Sequence, residues 1–212
     1  MAADTSTEAT PFHRAKPLVF VLLWLALAAQ IVWMLITHFH SHVTLAAMWF
    51  PLIFVIGCLL LASTNGRVRW IATLLRLLIG LAFLQAVCDR FGLLGGPGAP
   101  GVSWGNFANF ITYTGQVNSF MPHAVIPTLA VLATICEITF GLTMLLGISI
   151  RYAATGSALL LFLFATAMTI SGLSQFSYGV YLISAGALSI ATIDASFLSV
   201  DALLTRRQSA SS

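Results

Sequence analysis

Six residues carry the chemistry that this chain can be suspected of: Arg76, Asp89, Arg90, Trp104, Tyr113 and Glu137. The last of these lies in "TICEITFG", residues 134–141, in the middle of a long apolar run. A carboxylate at the centre of a membrane-spanning helix costs about 2.5–3.5 kcal/mol on insertion scales, so it calls for a partner or a function. Arg76, in "RWIATLLRLLIG", is the expected partner. Counted inwards from opposite helix starts, the two fall at nearly the same depth, where a charge-assisted and bidentate pair is expected. That pair either fixes helix register or lines a ligand or proton site, and the first reading is favoured. Asp89 and Arg90 end the same helix as Arg76, as a cap, as partners of each other's neighbours, or as the rim of an outward-facing pocket beneath a long outer loop. Trp104 and Tyr113 are the candidates that this loop supplies.

Other chemistry-bearing residues give weaker signals. "HFHSH" places His38 and His42 on one face if helical, and all three histidines on one face if extended. With no carboxylate or cysteine in their loop they read as polar caps, and no metal site is expected. Cys58, Cys88 and Cys136 are isolated, an odd set without a C-x-x-C pair. This argues against a disulfide framework and an intrinsic dithiol centre. Asp194 falls close in depth to Arg69 and Arg151, which predicts an interfacial ion pair.

The elements that must position these groups are helices in a bilayer. Hydrophobic residues make up 59% of the chain and charged ones 7%, far from the roughly one-quarter charged of a soluble domain. The predicted fold class is all-α, a polytopic membrane protein. Six transmembrane helices are expected, at about 17–37, 45–63, 70–88, 125–147, 152–171 and 177–197. The N-terminal run "PLVFVLLWLALAAQIVWMLIT" is too long for a signal peptide and is expected to remain as the first helix. Arg14, Lys16, Arg67, Arg69, Arg151, Arg206 and Arg207 all fall on one side if six helices alternate, and Arg90 alone on the other. Both termini are therefore expected in the cytoplasm. The scattered basic residues are topology signals and do not point to nucleic acid. Pro51 is expected to kink the second helix. Small residues at four-residue spacing, Ala154 with Ala158 and Ala185 with Ser189, are packing signals.

One connection is long, residues 89–124. It opens with "DRFGLLGGPGAPGVSWG", where glycine and proline forbid a regular element. In "NFANFITYTGQVNSFMPH", Phe107, Phe110, Ile111 and Thr114 then recur at helical spacing. This predicts a short amphipathic helix that lies at the outer interface or caps the bundle.

The stretches "RLLIGLAFLQAVCDRFGLLGGPGAPGVSWGNFANFITYTGQVN", "ATICEITFGLTMLLGISIRYAA" and "SYGVYLISAGAL" resemble members of the DoxX family, over residues of about 70–195. The resemblance implies a four-helix DoxX-like bundle, residues 67–198. Added to it are an N-terminal two-helix hairpin, residues 17–66, a disordered cytoplasmic tail, residues 1–16, and a cytoplasmic tail, residues 199–212. It implies that Arg76, Asp89, Arg90, Gly92 and Glu137 build the core site, and a bacterial inner membrane as the location. Some members serve membrane oxidoreductases that pass electrons from sulfur compounds or thiols to quinone. The expected role is accordingly a membrane subunit of a quinone-linked or thiol/sulfur-linked oxidoreductase system. Partner membrane proteins would supply the redox centres, with no intrinsic cofactor and quinone as a candidate ligand. The alternative is a non-enzymatic accessory, assembly or structural subunit of a larger membrane complex. Transport is less favoured, because the helices lack paired Gly/Pro breaks.

Overall fold

The structure is a computed structural model. It describes residues 11–42, 44 and 48–202, with backbone alone at 11–15, 174 and 175. The expectations for residues 1–10, 45–47 and 203–212 lie outside the described residues. Among the described residues seven α-helices follow one another: α1 (Pro11–Ser41), α2 (Trp49–Ser63), α3 (Arg69–Arg90), α4 (Phe107–Val117), α5 (Ile126–Leu146), α6 (Ile150–Ile170) and α7 (Ser174–Ala191). No strand occurs among the described residues.

Among the described residues, four helices are long and apolar enough to cross a membrane: the 16–41 part of α1, α3, the 123–146 stretch containing α5, and α6. The other two expected spans are shorter apolar helices. With 15 residues, α2 extends about 22 Å, less than the ~30 Å of a hydrocarbon core. The chain leaves α7 at Ala191, six residues before the expected end, and runs beneath the bundle through 192–199. Helix α1 starts at Pro11, so residues 11–16, expected to be disordered, are helical. Pro51 does not kink a helix interior, because α2 starts only at Trp49. In the first turn the missing N–H has no intrahelical partner to lose.

The main cluster of buried apolar side chains is drawn from α1, α2, α3, α5, α6 and α7, including Leu23, Leu27, Cys58, Leu75, Met144 and Leu182. Helix α7 packs along both α6 and α1, and α3 packs along α5. The small residues do what their spacing predicts: Ala154 and Ala158 are buried in the α6 interface, and Ser184 Oγ donates to the Ala158 carbonyl at 2.8 Å.

The crossing of α3 and α5 sets the register that matters for function. Gly80 and Gly141 face each other there. A Cβ on Gly80 would lie 3.0 Å from the Gly141 carbonyl oxygen, and one on Gly141 would lie 3.3 Å from that of Gly80. Absent side chains let the two backbones touch, and no other pairing of residues along these antiparallel helices can reproduce that contact.

Candidate functional site

Two ends of this bundle are distinguishable by their residues. Arg67, Arg69 and Arg151 lie at the basic end, and the 91–106 loop lies at the loop end. From the Gly80–Gly141 crossing, Arg76 is one turn toward the basic end. It donates to the carbonyl of Met144, to Leu145 at 3.4 Å, to Phe197 at 3.4 Å and to Leu198 at 3.0 Å. Helix α5 ends there, capped by Gly147 in the left-handed conformation, so the last carbonyls lack intrahelical donors. A buried guanidinium fits that negative helix end and ties segment 195–199 to it. Thr73 Oγ1 adds contacts to the Ala195 and Phe197 carbonyls at 3.4 Å. Asp201 closes the same end by accepting from the N–H groups of Ser149 and Ile150, at the start of α6. Arg76 therefore does not pair with Glu137.

Glu137 pairs instead with Arg90, Nη2 to Oε2 at 2.6 Å, with both side chains almost wholly buried. The reason is the tilt of helical side chains toward the N-terminus. On α3 this turns Arg90 back down into the bundle, and on antiparallel α5 it turns Glu137 up toward the loop end. The same tilt moves Arg76 and Glu137 apart. Arg90 also donates from Nη1 to Thr134 Oγ1 at 2.8 Å and from Nε to the Ala86 carbonyl at 3.1 Å. Its guanidinium lies 3.7 Å from the centre of the Phe110 ring and 5.3 Å from that of Trp104. Such a planar, delocalised cation satisfies a carboxylate, a hydroxyl and two aromatic faces together, as an ammonium could not.

Asp89 holds the loop in place. Its carboxylate accepts from the backbone N–H of Ser103 at 2.8 Å, Trp104 at 3.2 Å and Gly105 at 3.0 Å. Gly105 has φ +68°, and a Cβ there would lie 2.4 Å from the Pro97 nitrogen, so only glycine fits. This clamp delivers Trp104 onto Arg90 and fixes the entry to α4. Asn106 caps α4, accepting from the Asn109 N–H at 2.8 Å. The buried face of α4 is Phe110, Thr114 and Val117, so the expected amphipathic helix lies over the bundle as a roof.

Beneath the roof is a cavity of about 480 Å³, lined by α3, α4, α5, α6 and α7 with Phe50 of α2 at its edge. Its wall is mainly apolar, with Phe83, Leu161 and Ile183 as examples, and its polar groups include Arg90, Glu137, Tyr113 and Asn118. Among the described residues, neither Glu137 Oε1 nor the Tyr113 hydroxyl has a hydrogen-bond partner. Burial pushes the Tyr113 phenol above its ordinary range, so it stays a neutral donor.

Four of the six candidates, Arg90, Glu137, Trp104 and Tyr113, meet at this cavity, while Asp89 supports it and Arg76 belongs to the basic end. Thr134, Phe110 and Cys136 join the site without having been singled out for it; Thr134 and Cys136 are close neighbours of Glu137 in the sequence, and Phe110 was legible as the inner face of α4. At the basic end Arg69 and Asp194 form the expected surface pair at 3.1 Å. The histidine stretch runs through the end of α1, with His38 and His40 in its last turn. No cluster of three or more His, Cys, Asp or Glu side chains occurs among the described residues. Comparison with known proteins finds no match to a family model, to a curated protein or to a solved structure.

Proposed function

We propose that this chain is a DoxX-like membrane subunit of a quinone-linked or thiol/sulfur-linked oxidoreductase system, whose redox centres reside in partner proteins. Six membrane-crossing segments with both termini in the cytoplasm of a bacterial inner membrane complete the reading. The observation that carries it is the roofed apolar cavity with a polar end. Its volume is within the ~300–1,000 Å³ of small-molecule sites, and its apolar wall and few convergent polar groups suit a lipid-soluble ring. A bound quinone would supply two-electron, two-proton chemistry. The residues present fit its head group: the Tyr113 hydroxyl can donate to a carbonyl, and Glu137 Oε1 can accept from a hydroxyl. Arg90 orients Glu137 and balances its charge, and the α4 roof with Trp104 excludes water.

The test is to purify the protein gently from quinone-containing membranes and measure quinone and partner proteins retained per chain. Retained quinone should fall about fivefold in Tyr113→Phe, the equivalent of one hydrogen bond of ~1 kcal/mol, and further in Glu137→Gln. Wild-type protein that carries partners but no quinone overturns the quinone reading in favour of an accessory or assembly subunit.

A further inference from the structure

The cavity is not closed on every side. Helices α5 and α6 leave the tight turn at 147–149 and run toward the loop end. Near the basic end they are held together by the Phe140 ring, which lies over Gly156; a Cβ on Gly156 would come 2.5 Å from ring atoms. Beyond that contact the helices no longer seal. Leu132 of α5 and Leu163 of α6 both line the cavity, yet they are 53% and 56% exposed. Leu132 is 14 residues from the basic end of α5 and Leu163 is 13 from that of α6. By helix rise both are therefore about 20 Å up, at the same height. Cys136, one turn below Leu132, also lines the cavity and is partly exposed.

We infer that Leu132 and Leu163 frame a lateral portal between α5 and α6, through which a membrane-dissolved amphiphile with a long acyl or isoprenoid tail enters from the bilayer. Its head reaches the Arg90–Glu137 end while its tail remains in the gap between the helices. Both rim residues are apolar, on faces that a spanning helix turns to lipid, whereas the aqueous side is roofed by α4 and by the Asp89-pinned loop. Route and ligand class follow from the same feature: a charged, water-soluble substrate would have to cross an apolar rim, and a lipid-soluble one would not. This rests on the reading of the cavity as a ligand site, but it requires no oxidoreductase and no quinone.

The native cysteines provide the test. Arg67, Arg76, Arg90 and Arg151 separate Cys58, Cys88 and Cys136 into different tryptic peptides, so modification of each is read by mass in the unaltered chain. Cys58 is fully buried and serves as the internal zero. The protein in nanodiscs is treated with a long-alkyl methanethiosulfonate or with a sulfonated, membrane-impermeant one. The alkyl reagent should modify Cys136 at least tenfold faster than the sulfonated reagent. The double variant Leu132→Trp/Leu163→Trp should slow the alkyl reaction at least tenfold without changing Cys88. Faster modification by the sulfonated reagent, indifference to the two tryptophans, or failure of both reagents in folded protein would each overturn the portal. Because no quinone is used, these outcomes are separate from those of the quinone-retention experiment.

Discussion

The pairing of Glu137 with Arg90 rather than Arg76 makes a quantitative prediction that a double-mutant cycle can decide. Arg90→Met leaves the Glu137 carboxylate buried without its 2.6 Å partner and also removes the bonds to Thr134 and Ala86. Glu137→Leu leaves the buried guanidinium with a hydroxyl, a carbonyl and two rings. Breaking one side of a buried pair costs about 3–5 kcal/mol, whereas replacing both sides by apolar groups is often neutral. Arg90→Met/Glu137→Leu should therefore be no less stable than either single variant, an interaction energy of at least about 2 kcal/mol. In the cycle of Arg76→Met with Glu137→Leu, the two sites are separated by about eight residues of helix rise, roughly 12 Å, and share no partner. Those effects should add to within about 0.5 kcal/mol. Unfolding in mixed micelles with increasing SDS, followed by tryptophan fluorescence, gives the four stabilities of each cycle. Additivity in the Arg90 cycle, or coupling in the Arg76 cycle, would refute the assignment.

Two further perturbations probe the surroundings of the site. Asp89→Asn keeps one acceptor oxygen but turns an amide NH₂ toward a backbone N–H that the carboxylate now satisfies. The loss of about 1.5–3 kcal/mol should speed hydrogen exchange at the Ser103, Trp104 and Gly105 amides by ten- to a hundred-fold, and unchanged protection would show that the clamp is not what orders the loop. The Asp194 carboxyl gives a pH-dependent case. Partial burial works to raise its pKa, but the Ser196 hydroxyl and N–H, together with Arg69, outweigh it and hold the group below the ordinary carboxylate range. A lowered folded pKa means stability that is present above the unfolded value and lost as pH falls through the folded one. With side chains 70% and 45% exposed, the Arg69–Asp194 pair is screened by solvent and contributes less than about 1 kcal/mol. Asp194→Asn should differ from wild type by no more than that at pH 7 and converge with it as the pH falls below the folded pKa. A difference above ~2 kcal/mol in thermal unfolding would contradict the reading.

Much of this architecture was legible because the bilayer restricts what a sequence can do. An apolar run must be helical there, and a charge within it must find a partner, so the helices, the amphipathic α4 and the importance of Glu137 followed from composition and period. The Arg69–Asp194 pair was legible for the same reason, since both lie at one end of adjacent elements. Depth counting failed at Arg76 because the Gly80–Gly141 crossing sets a register that puts Arg76 and Glu137 about eight residues of helix rise apart, roughly 12 Å. Arg76 and Glu137 tilt away from each other on antiparallel helices, while Arg90 and Glu137 tilt together. The meeting of Gly80 with Gly141, which sets the register, involves two residues that are ordinary in isolation.

The sequence by itself determined an all-helical protein with apolar, membrane-length segments, one glycine-rich connection and a buried carboxylate in need of a cation. Those properties are local, fixed by hydrophobicity, backbone restriction and the cost of burying charge over one or two turns. Only the tertiary structure decided which cation answers Glu137, that Asp89 holds the loop over the site, and that Leu132 and Leu163 line the cavity while exposed at its rim. Each of these depends on how far one helix slides and rotates against another, a degree of freedom that leaves every local preference satisfied.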